Sequence, residues 1–408
     1  MDIPLSYLLP LNFAIKMKLL HLLLLLPPLV ILVSSSPCYF SSVFNFGDSN
    51  SDTGEYSAAF DPVPPPYGET FFGMPAGRYS DGRLIIDFIV KSLGLPYLSS
   101  YLDSLGTNFS HGANFATASS TIIDENVPLS QGGCPLSSGV QLKEFLQFKS
   151  RSQLVYSRAF ATIIVGVFKE LMPKEEYFSQ ALYTIDIGQN DLNACCLQNK
   201  CGEDLIPNAK MVFSRAVKNI YEKGGRNFWI HNTGPLGCLP LFLHQLKLND
   251  EELDSAGCGI RCNKLAQRFN TMLNETVVEL RRELPLAAIT FVDIYSVKYL
   301  LISQAQKYGF EQRLSQLVAD YGGGDYNSHF NVICGSTCLC QRSQRVLLGK
   351  SCKYPSERIS WDGIHYTEAA NKWVFDQISG GKFSDPPNSL NLACYQVASD
   401  LNGSRSFM

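Results

Sequence analysis

The chain has 408 residues, of which 45% are hydrophobic and 17% charged, an ordinary balance for a globular protein with a substantial core, and its length allows one large domain or two. A net charge of −3, with no basic block and no aromatic stacking motif tied to one, gives no basis for nucleic-acid binding.

The chain opens on a targeting segment. Lys16 and Lys18 precede the leucine-rich stretch Leu19 to Val33 and then Ser34-Ser35-Ser36, the charged, apolar, small-residue order of a secretory signal cleaved near Ser36. The rival is a membrane anchor, but Pro27-Pro28 interrupts the stretch, which falls short of the ~18 residues of a spanning helix. Residues 1–36 are thus read as signal, with 1–16 an upstream extension if Met17 is the start. No later segment is long and apolar enough to span a membrane, so stable insertion after cleavage is not expected.

Past the signal, strand and helix signals alternate. Val43 to Phe46 reads as a strand, Leu84 to Leu93 as a helix, Ala181 to Ile187 as a strand, and Lys210 to Lys223 as a helix stopped by Gly224-Gly225. Asn227 to His231 is a short strand leaving through Thr233-Gly234-Pro235. Cys262 to Leu284 is an amphipathic helix closed by Pro285, Ala287 to Ile294 a β-branched strand, and Tyr366 to Ser379 a final helix. Such alternation predicts an α/β fold, with a mainly parallel sheet covered by helices on both faces. No linker divides the chain. The reading is one domain over 38–385 and a polar tail over 386–408, with Pro62 to Pro66 a loop near the site.

Two short motifs carry chemistry. Phe44-Asn45-Phe46-Gly47-Asp48-Ser49-Asn50 places a serine in a turn just after a strand, and Trp361-Asp362-Gly363-Ile364-His365 places a carboxylate three residues before a histidine. Alone, each reads more readily as turn chemistry or a surface pair. Together they supply a nucleophile, a general base and a group that orients the base, which points to acyl transfer through a serine ester. Two further segments fit the same site. Asn190, just past the strand in Ile185-Asp186-Ile187-Gly188-Gln189-Asn190, offers an amide to a developing oxyanion, the alternative being a helix cap. Gly112, in His111-Gly112-Ala113-Asn114, offers a backbone N–H, the alternative being an ordinary turn. Among six histidines only His365 has a carboxylate three residues earlier, which places it ahead of His231 and His111 as the base.

These blocks resemble the GDSL esterase/lipase family, a branch of the SGNH hydrolases named for Ser, Gly, Asn and His in four blocks. The matching positions are Ser49, Gly112, Asn190 and His365, with Asp362 completing the triad. The similarity extends from about Cys38 to about Gly380. Gly68 to Asp87, Leu95 to Thr121 and Phe228 to Pro240 resemble the plant subgroup of early-nodulin-like proteins, acetylesterases and members once labelled α-L-fucosidases. The resemblance implies a three-layer α/β/α sandwich of flavodoxin-like type and a catalytic triad of Ser49, Asp362 and His365. It also implies an oxyanion hole from Ser49 N–H, Gly112 N–H and the Asn190 amide. The implied substrates are acetyl or other short acyl esters of plant metabolites, cell-wall sugars or lipids. No metal or organic cofactor is called for. An acyltransferase using the same residues, or a non-catalytic binding or defence protein on this scaffold, are the alternatives. The chain departs from the family name at Asn50, where leucine is implied, and in the cysteine-rich stretches Ala194 to Cys201 and Cys334 to Cys352.

Secretion accounts for thirteen cysteines, all after the predicted cleavage; most are expected to pair, and the odd count leaves at least one over. Cys258 with Cys262, and Cys334, Cys338, Cys340 and Cys352, also have metal-like spacings, but disulfides are favoured in a secreted chain. Sequons at Asn108, Asn274 and Asn402 fit a secreted glycoprotein. The sequence carries no signal of oligomeric state.

Overall fold

The computed structural model describes residues 37–103, 105–124, 134–158, 168–198, 201–311, 337–340, 344–347 and 354–395. The signal reading at 1–36, Cys334, Cys352 and the sequon at Asn402 lie outside these residues.

Five strands run parallel: β1 (Val43–Gly47), β2 (Gly112–Asn114), β3 (Leu182–Asp186), β4 (Asn227–His231) and β5 (Ala288–Val292). A separate antiparallel pair follows, β6 (Thr337–Cys340) and β7 (Gln344–Leu347), and then β8 (Ser384–Asp385), which pairs antiparallel with β5. The order β2-β1-β3-β4-β5-β8 is the flavodoxin-like winding with one antiparallel edge strand added. Its topological switch falls between β1 and β3.

Side chains alternate along these strands with period two, and that alternation builds two cores. Phe44, Phe46, Tyr183, Ile185, Phe228 and Ile230 point to one face. There they meet α2 (Ser138–Arg158), α4 (Leu205–Glu222) and α6 (Ile260–Glu283), through Phe145, Phe213 and Phe269 among others. Val43, Leu182, Trp229 and Val292 point to the other face. They meet α1 (Ile85–Ser92), α7 (Ile294–Ser303) and α8 (Glu368–Ile378), through Ile89, Leu301 and Val374. A sheet with an apolar helix layer on each face is the three-layer sandwich that the strand–helix alternation predicts. Two further helices, α3 (Gln189–Gln198) and α5 (Pro240–Leu246), follow β3 and β4 at the carboxyl edge of the sheet.

Two expectations change at element ends. The strand read to Ile294 stops at Val292, because the Asp293 side chain accepts from Ser296 N–H and caps α7. The tail read as polar from Pro386 belongs to the domain at least to Tyr395. Leu390 and Ala393 are buried, Tyr395 N–H donates to Asn227 Oδ1, and Cys394 is bonded to Cys38.

Among the described residues there are three more disulfides, Cys195–Cys201, Cys196–Cys262 and Cys238–Cys258. The second ties α3 to α6. Cys134 is buried and unpaired. Asn108 is exposed in a loop, with its carbonyl accepting from Ser110 N–H, and Asn274 is exposed on α6.

Candidate active site

In an open α/β sheet, ligands bind beyond the carboxyl ends of the strands at the switch point. Gly47 ends β1 there, opposite Asp186 of β3. A Cβ on Gly47 would lie 2.4 Å from Asp186 O and 2.6 Å from Ser51 Oγ, so only glycine lets the two backbones come this close. Asp48 then turns the chain. Its carbonyl accepts from Ser51 and Asp52 N–H, each at 3.0 Å, and its Oδ1 accepts from Asn50 N–H and Nδ2, each at 2.9 Å. Ser49 stands at the head of that turn, 6% exposed.

The turn is held from below by polar residues that are themselves fully partnered. Asn114 Nδ2 donates to Ser51 O at 2.7 Å, and Asn114 Oδ1 accepts from Asn45 Nδ2 at 2.7 Å. Asp52 accepts from Gly54, Glu55 and Tyr56 N–H and, across the gap to the loop after β2, from Ala118 N–H at 2.8 Å. Satisfied buried networks of this kind fix one geometry.

His365 arrives from the segment before α8. Trp361 N–H donates to His365 O at 2.8 Å and Thr367 N–H to Ile359 O at 2.9 Å, which folds 359–367 into a narrow loop. His365 Nε2 lies 2.7 Å from Ser49 Oγ, and His365 Nδ1 lies 2.5 Å from Asp362 Oδ2. The carboxylate holds the imidazole proton at Nδ1 and leaves Nε2 to accept from the serine. Asp362 Oδ1 accepts from Ile364 N–H at 2.9 Å and His365 N–H at 2.7 Å. Burial pushes this carboxyl up, but the His365 charge and these hydrogen bonds outweigh it and hold Asp362 below the usual carboxylate range. Tyr67 Oη also donates to Asp362 Oδ2, at 2.9 Å, and the Tyr79 ring lies 5.2 Å from the imidazole.

Asn190 is the second residue of α3. One of its amide N–H groups donates to Ser120 O at 2.9 Å, and its Oδ1 accepts from Asn193 Nδ2 at 3.0 Å. An amide has two N–H donors, so one remains after the bond to Ser120 has oriented the group.

Gly112 does not reach this site. It pairs with Val43 at the amino end of β1, the far end from Ser49, and its N–H donates to Phe109 O at 2.9 Å. Its φ of 109° and the 1.8 Å from a Cβ to Val43 O explain the glycine as a close strand contact. The same block reaches the site seven residues later. Ser119 has φ 63°, flanked by Ala118, whose N–H binds Asp52, and Ser120, whose carbonyl binds Asn190. Among the described residues, the N–H groups of Ser49 and Ser119 have no hydrogen-bond acceptor.

Beneath the serine turn lies a buried charged cluster. His231 Nδ1 is 3.1 Å from Asp186 Oδ2, and its Nε2 accepts from Trp229 Nε1 at 3.0 Å, so both ring nitrogens are engaged away from Ser49. Lys298 is 4% exposed, with its ammonium 4.3 Å from the Tyr366 ring centroid. Burial and the neighbouring Asp186 raise Asp48 to about 7, against the Asn50 bonds and the His365 charge. His111 lies at the amino end of the sheet, its Nδ1 3.0 Å from Ser41 O.

Sequence comparison points the same way as this geometry. Residues 43–378 match the family model described as GDSL-like Lipase/Acylhydrolase. The chain is 53% identical over 363 residues to the GDSL esterase/lipase ACHE of Zea mays, covering 88% of this chain and 90% of that one. It is 51% identical over 372 residues to a protein named Esterase from Hevea brasiliensis, covering 90% and 92%. It is 50% identical over 349 residues to Alpha-L-fucosidase 3 of Arabidopsis thaliana, covering 84% and 91%.

Proposed function

The chain belongs to the GDSL-like lipase/acylhydrolase family and is a carboxylic ester hydrolase, and from that premise we propose that it works through an acyl-enzyme on Ser49. The observation that carries the reading is the continuous hydrogen-bonded chain Ser49 Oγ–His365–Asp362, at 2.7 and 2.5 Å. His365 Nε2 takes the hydroxyl proton as Ser49 Oγ attacks the ester carbonyl. Asp362 keeps the imidazole oriented and stabilises its charged form. The oxyanion meets Ser49 N–H, Ser119 N–H and the second N–H of the Asn190 amide, donors in place before the charge forms. His365 then protonates the leaving alcohol, and water takes the same route to release the acid.

The substrates are acetyl or other short acyl esters of plant metabolites, cell-wall sugars or lipids. The protein acts outside the cell after loss of residues 1–36, carrying glycans at Asn108, Asn274 and Asn402. The described disulfides suit such an oxidising compartment, and no described helix is long and apolar enough to cross a membrane.

The test is hydrolysis of p-nitrophenyl acetate, butyrate and palmitate by secreted protein beside Ser49→Ala. Activity that falls from acetate to palmitate and vanishes in the variant is expected. Residual turnover in a folded Ser49→Ala protein sinks the acyl-enzyme reading, and preference for palmitate sinks the short-acyl one.

A further inference from the structure

Among the described residues the Asp362 carboxylate has four protein donors, and three of them come from its own loop: Ile364 N–H, His365 N–H and His365 Nδ1. The fourth, the Tyr67 phenol, comes from 295 residues away. It shares Oδ2 with the imidazole. We propose that Tyr67 is a positioning residue of this hydrolase, whose phenol pins Asp362 Oδ2 against His365 and tempers the pull of the carboxylate on the imidazolium. The inference rests on the assignment of Ser49, His365 and Asp362 made above.

Three observations support it. First, the phenol stays a donor: burial, then the charge and hydrogen bond of Asp362, push its ionisation well above the usual tyrosine range. Second, its ring is held on two sides, edge-on to Trp361 with centroids 5.9 Å apart and edge-on to Tyr79 at 6.0 Å, so Oη has little freedom. Third, its loop is sewn to the histidine segment at further points. Ser80 Oγ donates to Tyr366 O at 3.0 Å, Asp81 Oδ1 accepts from Glu368 N–H at 2.7 Å, and Arg83 donates twice to Glu368 Oε1. The Arg83 and Asp81 contacts seat the segment as a whole. Tyr67 alone among them touches the carboxylate.

The electrostatic consequence has a definite sign. A neutral donor on Oδ2 spreads the negative charge that faces the imidazole. Without it, the carboxylate holds imidazolium more strongly, and the histidine resists giving its proton up. The acid limb of kcat/KM therefore moves to higher pH in Tyr67→Phe. Other titrating groups face the pair: Asp48, from the turn after β1, acts on His365, and Tyr79 lies against both Tyr67 and His365. They are common to wild type and variant, so the difference between the two profiles isolates the phenol.

The experiment compares wild type, Tyr67→Phe, Tyr67→Leu and Asp362→Asn across about pH 4.5–9, a range wide enough to bracket the acid limb, with thermal unfolding of each. Phe keeps the ring contacts. Tyr67→Phe is expected to keep its Tm and KM, to lose about tenfold in kcat, the scale of one charge-assisted hydrogen bond, and to shift the acid limb upward. Tyr67→Leu is expected to lose Tm as well. A Tyr67→Phe profile superimposable on wild type overturns the proposal, and so does a lower kcat with an unmoved acid limb, which marks looser packing only. Asp362→Asn separates the two levels: full activity there sinks the triad reading itself, whereas its loss beside an unchanged Tyr67→Phe sinks the proposal alone.

Discussion

Arg78 and Asp87 form a buried ion pair whose disruption has a calculable cost. Arg78 Nε donates to Asp87 Oδ2 at 2.8 Å and Nη2 to Oδ1 at 2.7 Å, a two-pronged match of fork to carboxylate. Nη1 donates to Ala76 O at 2.9 Å and to Thr53 O at 3.4 Å, and Asp87 Oδ2 also accepts from Leu84 N–H at the start of α1. The side chains are 7% and 1% exposed. Asp87→Asn keeps the shape but leaves a guanidinium buried without its counter-charge and turns an amide N–H₂ toward it. Removing one partner of such a pair costs about 3–5 kcal/mol. At about 2.1 cal/mol/K per residue over roughly 350 residues, a loss of about 4 kcal/mol lowers Tm by about 5 °C. Arg78→Met leaves the carboxylate with the Leu84 N–H alone and is expected to cost about as much. The double variant removes both charges, so its loss should fall well short of the sum, with a coupling of about 3 kcal/mol. Urea unfolding followed by tryptophan fluorescence, with the disulfides kept oxidised, measures all three. Losses that simply add would refute the account, because they would mean that neither charge depends on the other.

Glu55 is buried, and burial, with the charges of Glu144 and Asp52, pushes its carboxyl up to about 9. A carboxyl raised in the folded state contributes stability that is complete below its unfolded pKa and lost as pH rises through the folded one. Wild type should therefore lose stability as pH climbs from about 4.5 to 9, and Glu55→Gln, which keeps an oxygen for Leu102 N–H, should remove that group's share of the loss, up to about 6 kcal/mol by linkage, read from Tm against pH. Asn190→Ala should lower kcat by about 10²–10³ while Tm changes little, as expected for one oxyanion donor; a KM effect alone would contradict it. Ser119→Gly should retain activity and gain about 0.5–1 kcal/mol, since the N–H remains and glycine accepts a φ of 63° without strain; a collapse of kcat would assign the role to the hydroxyl instead.

What could be read in advance divides along physical lines. β1, β3, β4 and β5 were legible because each is a short apolar run bounded by turn residues. That Ser49, His365 and Asp362 would come into hydrogen-bonding contact was legible because a scarce side-chain chemistry sits in compact motifs. The unpartnered loop N–H was not. Gly112 has the residue type that invites close approach, yet its φ serves a strand contact with Val43, while the N–H left without an acceptor among the described residues is that of Ser119, a backbone property that residue identity does not announce. Tyr67 is as silent in the sequence, since a tyrosine after three prolines carries no marker of a partner 295 residues on. The extent of the domain past Pro386 depended on which cysteine Cys394 meets, and spacing does not encode pairing.

That pairing makes the described domain almost a closed ring. Cys38 and Cys394 stand 5.8 Å apart at Cα, a gap that about two residues of extended chain would span. The two ends could be fused and the chain reopened elsewhere, for example beside Leu105, a loop residue 89% exposed. Ser49 would then cease to come early and His365 to come late, yet the two would still meet across the same switch point. For this hydrolase the order in which the segments are strung belongs to ancestry, and their meeting place belongs to the sheet.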